Sequence, residues 1–151
     1  ESKDHPVLMA FTRQAIGVYE KADKDWRKTV RKGAYVVQEG DANPDITILA
    51  TGSEVEMSLK AAALVPGKKI RVVSVMDKNL FEAQDEAFQK QIMGNPKRVV
   101  VAEAGCRMGW EGYAKKEDLF TIDRFGMSGP ANKVAEALHF TADDLAKVLA
   151  R

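Results

Sequence analysis

Short apolar runs alternate with longer segments whose apolar positions recur at helical spacing. The central run, 46–50, is rich in β-branched residues, which is typical of a strand buried on both faces. It passes through Thr51-Gly52-Ser53 into a segment with one apolar side, formed by Val55, Leu59, Ala62 and Ala63. Ser53 and Glu56 have the spacing of a capping box, so a helix is expected to begin there. A strand leading through a glycine turn into a helix is the first half of a β–α–β unit.

The same pattern predicts five further strands and four further helices. The strands are 7–11, 33–37, 70–75, 99–102 and 119–122. The helices are 83–93, a short one after Gly109 that carries Trp110 and Tyr113, one opened by Pro130, and a closing helix capped by Thr141 with Asp144. Alternating strands and helices indicate an α/β fold of three layers, α/β/α, around a mostly parallel five-stranded sheet. Strand 33–37 reaches 46–50 through a short loop, so we expect it to be an antiparallel edge strand.

Composition narrows the class of protein. The 151 residues suit one domain with a real core, and 23 basic against 22 acidic residues give a net charge of +1. This balance gives no reason to expect a nucleic acid or a membrane surface as partner. The chain has one cysteine, Cys106, no membrane-length apolar run and no methionine at Glu1. We therefore expect a cytoplasmic chain that is processed or cut from a longer one.

A charged stretch, 17–32, surrounds the lone Trp26 and is typical of a connector. The strand 7–11 before it can therefore belong to a different domain from the rest.

Few residues at the predicted strand ends are candidates for catalysis or ligand binding. Thr51, Gly52 and Ser53 could hold an anion at a helix N-terminus, but a plain helix cap is the favoured interpretation. Glu103 could be a general base, although binding loop amides is favoured. Asp123 with Arg124 is interpreted as a buried structural pair, and a domain contact through Arg124 is the alternative. No catalytic constellation and no set of metal or cofactor ligands is recognised.

Arg13 is the best single ligand candidate. It follows the apolar run 7–11, where its planar donor fork could take a phosphate or a carboxylate; a salt bridge is the alternative.

Several blocks of the sequence occur in the order found in one enzyme family. They are Thr12-Arg13-Gln14, Gly33-Ala-Tyr-Val, Ala50-Thr-Gly-Ser-Glu-Val55, 71–75, 80–84, Glu103-Ala-Gly105, Gly109-Trp-Glu111, Ile122-Asp-Arg-Phe-Gly126 and Phe140-Thr141. Together they resemble the C-terminal part of transketolase over essentially the whole chain. Met76-Asp77-Lys78 departs from the family, which usually has a proline-serine pair there.

The resemblance implies a division of the chain. Residues 1–16 would be the tail of the pyrimidine-binding domain, 17–32 a linker, and 33–151 the C-terminal α/β domain. In the family the arginine of the Thr-Arg-Gln block binds the substrate's phosphate, a role that the resemblance gives to Arg13.

The resemblance also implies what the parent enzyme does. It would move a two-carbon ketol unit between sugar phosphates, using thiamine diphosphate with Mg²⁺ or Ca²⁺ held by upstream residues. Its partners would be the rest of the polypeptide or a separate partner subunit, and a second copy in a homodimer. The isolated chain would support packing and dimer contacts and be inactive.

Two other interpretations stay open at this point. One is the related domain of deoxyxylulose-phosphate synthase or of a 2-oxo acid dehydrogenase E1 β-subunit. The other is a stand-alone module that binds an anion or phosphometabolite through Thr51, Gly52 and Ser53.

Overall fold

The computed structural model describes residues 6–151, and its centre is a five-stranded sheet. The strands are β1 (Ala34–Gln38), β2 (Ile46–Ala50), β3 (Ile70–Val75), β4 (Arg98–Glu103) and β5 (Leu119–Thr121), in the spatial order β1-β3-β2-β4-β5. Neighbouring pairs among β2 to β5 are parallel, whereas β1 pairs antiparallel with β3 at one edge. The predicted mostly parallel sheet with one antiparallel edge strand is confirmed. The partner of that strand is β3 rather than β2, which follows it in sequence.

Within residues 6–151, six α-helices complete the fold. They are α1 (Trp26–Thr29), α2 (Glu54–Ala63), α3 (Lys78–Glu82), α4 (Glu86–Met93), α5 (Ala131–Ala137) and α6 (Ala142–Ala150), with single 3₁₀ turns at Val30–Lys32 and Lys116–Asp118. Among the residues that the structure describes, no helix is long and apolar enough to cross a bilayer.

Successive side chains of the central strands point to opposite faces of the sheet and build two cores. On one face Ile48, Val72 and Val100 pack with residues of α2 and α6, including Val55 and Leu149. On the other face the next residues along each strand, Leu49, Val73 and Val101, pack with residues of α3 and α4 and with Trp110. Because both faces are covered, β2 and β3 are buried along their whole length, as their continuous apolar runs predict.

The connector belongs to this core and does not run free over the surface. Tyr19, Trp26 and Val30 pack against the cluster on the α2 and α6 side. The backbone N–H groups of Ala22 and Asp23 donate to Val37 O and Val36 O at 2.9 and 3.1 Å, along the outer side of β1. Residues from about 19 onward are therefore part of the folded unit.

The apolar run 7–11 does not form the predicted strand. Its residues have no regular structure, and Leu8 and Phe11 are 94% and 84% exposed. A strand needs a neighbour to pair its backbone groups, and none of the strands within residues 6–151 pairs with this run. The five residues before Pro6 lie outside the described part of the chain.

Several helices begin at other residues than predicted, and one predicted helix is absent from the described residues. The predicted helix 83–93 begins at Glu86, because the side chain of Asp85 accepts from the N–H of Phe88 and caps α4 there. Ser53 makes no capping bond to α2, so the predicted capping box is wrong. The segment of Trp110 and Tyr113 forms turns rather than a helix, and Pro130 precedes α5 as its N-cap. The cap at Thr141 is confirmed, since its hydroxyl accepts from the N–H of Asp144.

Candidate functional site

An open cleft of about 530 Å³ lies at the carboxyl ends of the three central strands. The turn after β2 and Glu103 at the end of β4 line its base, with Met76 and Lys78 after β3 at its side. Side chains of the N-terminal segment, including Leu8 and Phe11, form another wall. Ligands of open α/β sheets commonly bind at this end of the strands, so the cleft is the first place to look for a site.

The hydroxyls of the turn after β2 face carboxylates. Thr51 Oγ1 donates to Glu103 Oε2 at 2.8 Å and lies 3.4 Å from Glu54 Oε2. Ser53 Oγ donates to Glu54 Oε1 at 2.7 Å, which explains why it does not cap α2. Two carboxylates beside the turn repel a negatively charged ligand. This geometry does not favour an anion at Thr51, Gly52 and Ser53, and that site stays a prediction.

The two carboxyl groups differ in environment. Glu54 is buried, and burial, with a smaller contribution from the charge of Glu103, raises the pKa of its carboxyl group. Glu103 also accepts from the N–H of Gly105 at 2.7 Å, which is the loop-amide role favoured by the sequence. Sequence reasoning missed Glu54, because an acid in the first turn of a helix is ordinarily solvated.

Arg13 lies beside the cleft and not in its lining. It is exposed, and within residues 6–151 it forms no ion pair with a carboxylate. Its segment is tied to the sheet domain by a hydrogen bond from the N–H of Gly17 to Glu56 Oε2 at 2.8 Å. The guanidinium is accessible to a phosphate, and this role stays a prediction.

The predicted buried pair of Asp123 and Arg124 is wrong. Both residues are exposed, and Asp123 pairs instead with Arg107, whose Nη2 lies 2.9 Å from Asp123 Oδ2. The backbone N–H and the guanidinium of Arg107, with the hydroxyl of Thr121, lower the pKa of Asp123 to about 2. Neighbours in sequence at the end of a strand point in different directions, so adjacency along the chain did not identify the partner.

Metal binding has no support within the described range. Between residues 6 and 151 there is no group of three or more histidine, cysteine, aspartate or glutamate side chains close enough to hold an ion. Cys106 is a free, exposed thiol, and His139 follows α5.

Comparisons with known proteins agree with one another. Residues 33–141 match the family model described as the transketolase-like TK C-terminal domain. The chain is 50% identical to transketolase from Treponema pallidum over 145 residues, and 39% identical to a probable transketolase from Streptococcus pneumoniae over 152. These alignments cover 95% and 98% of the chain but 22% and 23% of the relatives.

Solved structures give the same result. A transketolase variant from Pichia stipitis superposes with a TM-score of 0.80 at 29% identity, over 91% of this chain and 20% of that one. Transketolase from Campylobacter jejuni superposes with a TM-score of 0.73 at 29% identity, over 91% of this chain and 21% of that one. A structure described as a split gene transketolase, inactive beta4 tetramer, shares the fold at 23% identity and a TM-score of 0.58, over 79% of this chain and 41% of that one.

Proposed function

Because the chain belongs to the transketolase family, matching its C-terminal domain, we propose that it is the C-terminal part of a transketolase. The whole protein moves a two-carbon ketol unit from a ketose phosphate to an aldose phosphate. The observation that carries this proposal is the 50% identity to a transketolase along 95% of the chain. The family match disfavours deoxyxylulose-phosphate synthase and the E1 β-subunit, and nothing in the cleft favours a stand-alone anion-binding module.

The cofactor belongs to the preceding part of the polypeptide. Thiamine diphosphate, bound through Mg²⁺ or Ca²⁺, supplies the carbanion chemistry of ketol transfer. Residues 6–151 lack a cluster of metal ligands, and the cleft presents carboxylates where a diphosphate would need donors. No reaction step is assigned to this chain, which is structural and inactive in isolation.

We infer the domain organisation from the same family membership. Residues 1–16 end the pyrimidine-binding domain, 17–32 link it to the last domain, and 33–151 form that domain. The packing of Tyr19 and Trp26 against the core supports a linker that is fixed to the last domain. The whole protein is a cytoplasmic homodimer or is completed by a partner subunit.

Arg13 binds the phosphate of the sugar substrate. Its exposure, at the end of a segment that crosses the cleft, supports this role, because the guanidinium is not consumed by an ion pair within residues 6–151.

A direct assay tests the activity. The full-length polypeptide, with thiamine diphosphate and Mg²⁺, should transfer ketol units from a ketose phosphate to ribose 5-phosphate and should not use pyruvate as donor. The isolated 151-residue chain should give no turnover above background. Activity with pyruvate alone, or turnover by the isolated chain, would contradict the proposal.

Substitution of Arg13 tests the phosphate site within that assay. Arg13→Ala should raise KM for ribose 5-phosphate about 10- to 100-fold, since a charged hydrogen-bonded contact contributes about 1.5–3 kcal/mol. KM for an acceptor without a phosphate should not change. Arg31→Ala, which removes an exposed arginine of the connector, is the matched control. Equal effects on both acceptors would exclude a phosphate-binding role.

A further inference from the structure

A basic hollow lies at the opposite end of the sheet from the cleft. It has two adjoining parts, of about 480 and 360 Å³, which share Lys97, Arg98 and Arg151 in their walls. The first residues of β2 and β4 and the 3₁₀ turn before β5 line it. Because β4 is six residues long, the basic hollow and the cleft are about 17–20 Å apart along the sheet.

The walls of the basic hollow carry a surplus of positive charge. The cationic side chains are Lys68, Lys97, Arg98, Lys115 and Arg151, and the anionic ones are Asp45, Glu117 and Asp118. Two positive side-chain charges remain after these are balanced, in a protein whose total net charge is only +1. Since a concave surface lined mainly by one sign of charge concentrates counter-ions, the basic hollow attracts anions.

Arg98 is the fixed cation of the basic hollow. It is half-buried, and it donates from Nε to Asp118 Oδ1 and from Nη2 to Val148 O, both at 2.9 Å. These contacts join β4 to the 3₁₀ turn and to the last turn of α6, so the guanidinium is held in place. No hydrogen bond within residues 6–151 uses its Nη1, which leaves two N–H donors for a ligand.

Two further cations stand at the rim without a partner among the described residues. Lys115 and Arg151 are exposed, and neither forms an ion pair within residues 6–151. Lys97 differs from them, because its ammonium lies 2.7 Å from Asp45 Oδ1. The basic hollow therefore combines one positioned guanidinium with two long cationic side chains that can close over an anion.

We propose that the basic hollow binds a phosphate group, either inorganic phosphate or the phosphate of a small metabolite, through Arg98, Lys115 and Arg151. A phosphate monoester carries a charge of about −1.5 to −2 at pH 7, which balances the surplus of the walls. The volume suits a small molecule, and the half-buried Tyr113 in the wall offers an aromatic surface to the part beyond the phosphate. This site is separate from Arg13 and does not depend on ketol transfer.

Calorimetric titration of the 151-residue chain with inorganic phosphate, at pH 7 and constant ionic strength, tests the proposal. We expect saturable binding with a Kd of about 1 mM or tighter. Parallel titrations with ribose 5-phosphate and adenosine monophosphate distinguish the sources of the phosphate. Equal Kd values mean that the phosphate group alone is recognised, whereas tighter binding of adenosine monophosphate means that its base contacts the aromatic surface of Tyr113.

Matched double substitutions locate the bound phosphate. Lys115→Gln with Arg151→Gln should raise Kd at least about tenfold, because two charge-assisted contacts are lost. Lys90→Gln with Arg31→Gln removes the same two charges from exposed positions elsewhere and should change Kd less than about twofold. Arg13→Ala should also leave Kd within about twofold, which separates this site from the one proposed for the substrate.

Three results would overturn the proposal. They are binding of phosphate no stronger than that of chloride, equal weakening by the two double substitutions, and weakening by Arg13→Ala alone. The second would mean that phosphate responds only to net charge, and the third that it binds at Arg13. Ketol transfer by the full-length protein is measured separately, so the failure of this site and the failure of the proposed function are distinguishable.

Discussion

At the residue scale, the buried charged groups of this domain differ in how their burial is compensated. Arg71 on β3 is 5% exposed, and its guanidinium donates to Gln91 O and Ile92 O, at 2.9 and 3.0 Å, in the last turn of α4. It also donates to Glu39 Oε2 at 2.6 Å and to Asp41 O at 3.2 Å. The carbonyls at the end of a helix have no partner within it, so Arg71 acts as a buried C-terminal cap. Glu54, in contrast, is buried next to another carboxylate.

Replacing Arg71 tests this capping role. Arg71→Met keeps much of the apolar stem but leaves the two helix carbonyls unpaired, so the free energy of unfolding should fall by about 2–4 kcal/mol. Lys90→Met is the control, because the Lys90 ammonium pairs within residues 6–151 only with the exposed Glu86, so its replacement should cost less than about 0.5 kcal/mol. Urea unfolding of both variants measures the difference. Equal stabilities would mean that water replaces the guanidinium at α4.

Glu54 gives a prediction about pH. Since burial raises its pKa in the folded state above the ordinary value of 4.5, the folded protein holds a proton that the unfolded chain releases, and stability falls as the pH rises through that interval. Glu54→Gln removes the charge, so it should raise Tm at pH 7 and have little effect below pH 4.5. Thermal melts across this range measure the change.

Glu56 on the same helix is the control with the opposite sign. A hydrogen bond from Lys60, and another from the backbone of Gly17, lower the pKa of its carboxyl group. Its contribution is present above the ordinary pKa of 4.5 and is lost as the pH falls through the lowered one. Glu56→Gln should therefore lower Tm at pH 7. A fall in Tm at pH 7 for Glu54→Gln as well would contradict the assignment of Glu54.

At the scale of the elements, two hydroxyl residues before helices look alike in sequence and differ in structure. Thr141 has an extended backbone, and its hydroxyl accepts from the N–H of Asp144 at 3.2 Å. Ser53 already has a helical backbone, and its hydroxyl donates to Glu54. Only the first satisfies a free donor of its helix.

We therefore expect alanine substitution of these two residues to have unequal effects on the free energy of unfolding. Thr141→Ala should reduce the free energy of unfolding by about 1 kcal/mol, the usual contribution of an N-cap. At about pH 4.5, where the raised pKa of Glu54 favours its uncharged form, Ser53→Ala should change it by less than about 0.5 kcal/mol, because the substitution removes no cap. Chemical denaturation of the two variants makes the comparison. A cost for Ser53→Ala as large as that of Thr141→Ala would show that the turn after β2 depends on its hydroxyl.

The central strands β2 and β3 were predictable from sequence because each is a short run rich in β-branched residues, and their burial on both faces follows from the same runs. The pairing of β1 with β3 was not, since nothing local distinguishes β2 from β3 as its neighbour. In the candidate site, Glu103 could be predicted at a strand end. The environment of Glu54 could not be predicted, because the hydroxyl of Ser53 that bonds its carboxyl group was expected to cap α2. The pair of Asp123 with Arg107 could not be predicted either, because the two residues are 16 positions apart in the chain.

At the scale of the whole molecule, the two ends of the chain contribute unequally. Leu145 and Leu149 of α6 are fully buried against α2 and the sheet, although the family match ends at residue 141. Segment 7–18 is exposed and buries little within residues 6–151. The folded unit therefore extends past the family match at its C-terminal side, and residues 7–18 contribute little to it.

Shortened chains test this asymmetry. A chain of residues 1–141 loses two fully buried leucines, each contributing about 2–5 kcal/mol, and should show no cooperative thermal transition. A chain of residues 19–151 should keep a Tm within about 2–4 °C of the full 151 residues, since the contact of Gly17 with Glu56 is an exposed hydrogen bond that contributes about 1 kcal/mol. Loss of folding in the second chain would mean that the apolar segment packs on the domain.

The hydrogen bonds from Ala22 and Asp23 to the carbonyls of Val37 and Val36 have a consequence for self-association. β1 is an edge strand, and an edge with free backbone groups can recruit a strand from another molecule. The connector pairs with these two carbonyls of β1, so a strand of another molecule cannot bind to them. A protease cut between residues 23 and 33 would free Ala22 and Asp23 from β1 and weaken the packing of Tyr19 on one core, while the fully buried residues of both cores stay in the rest of the chain. The expected product is a polymer of domains joined strand to strand through β1.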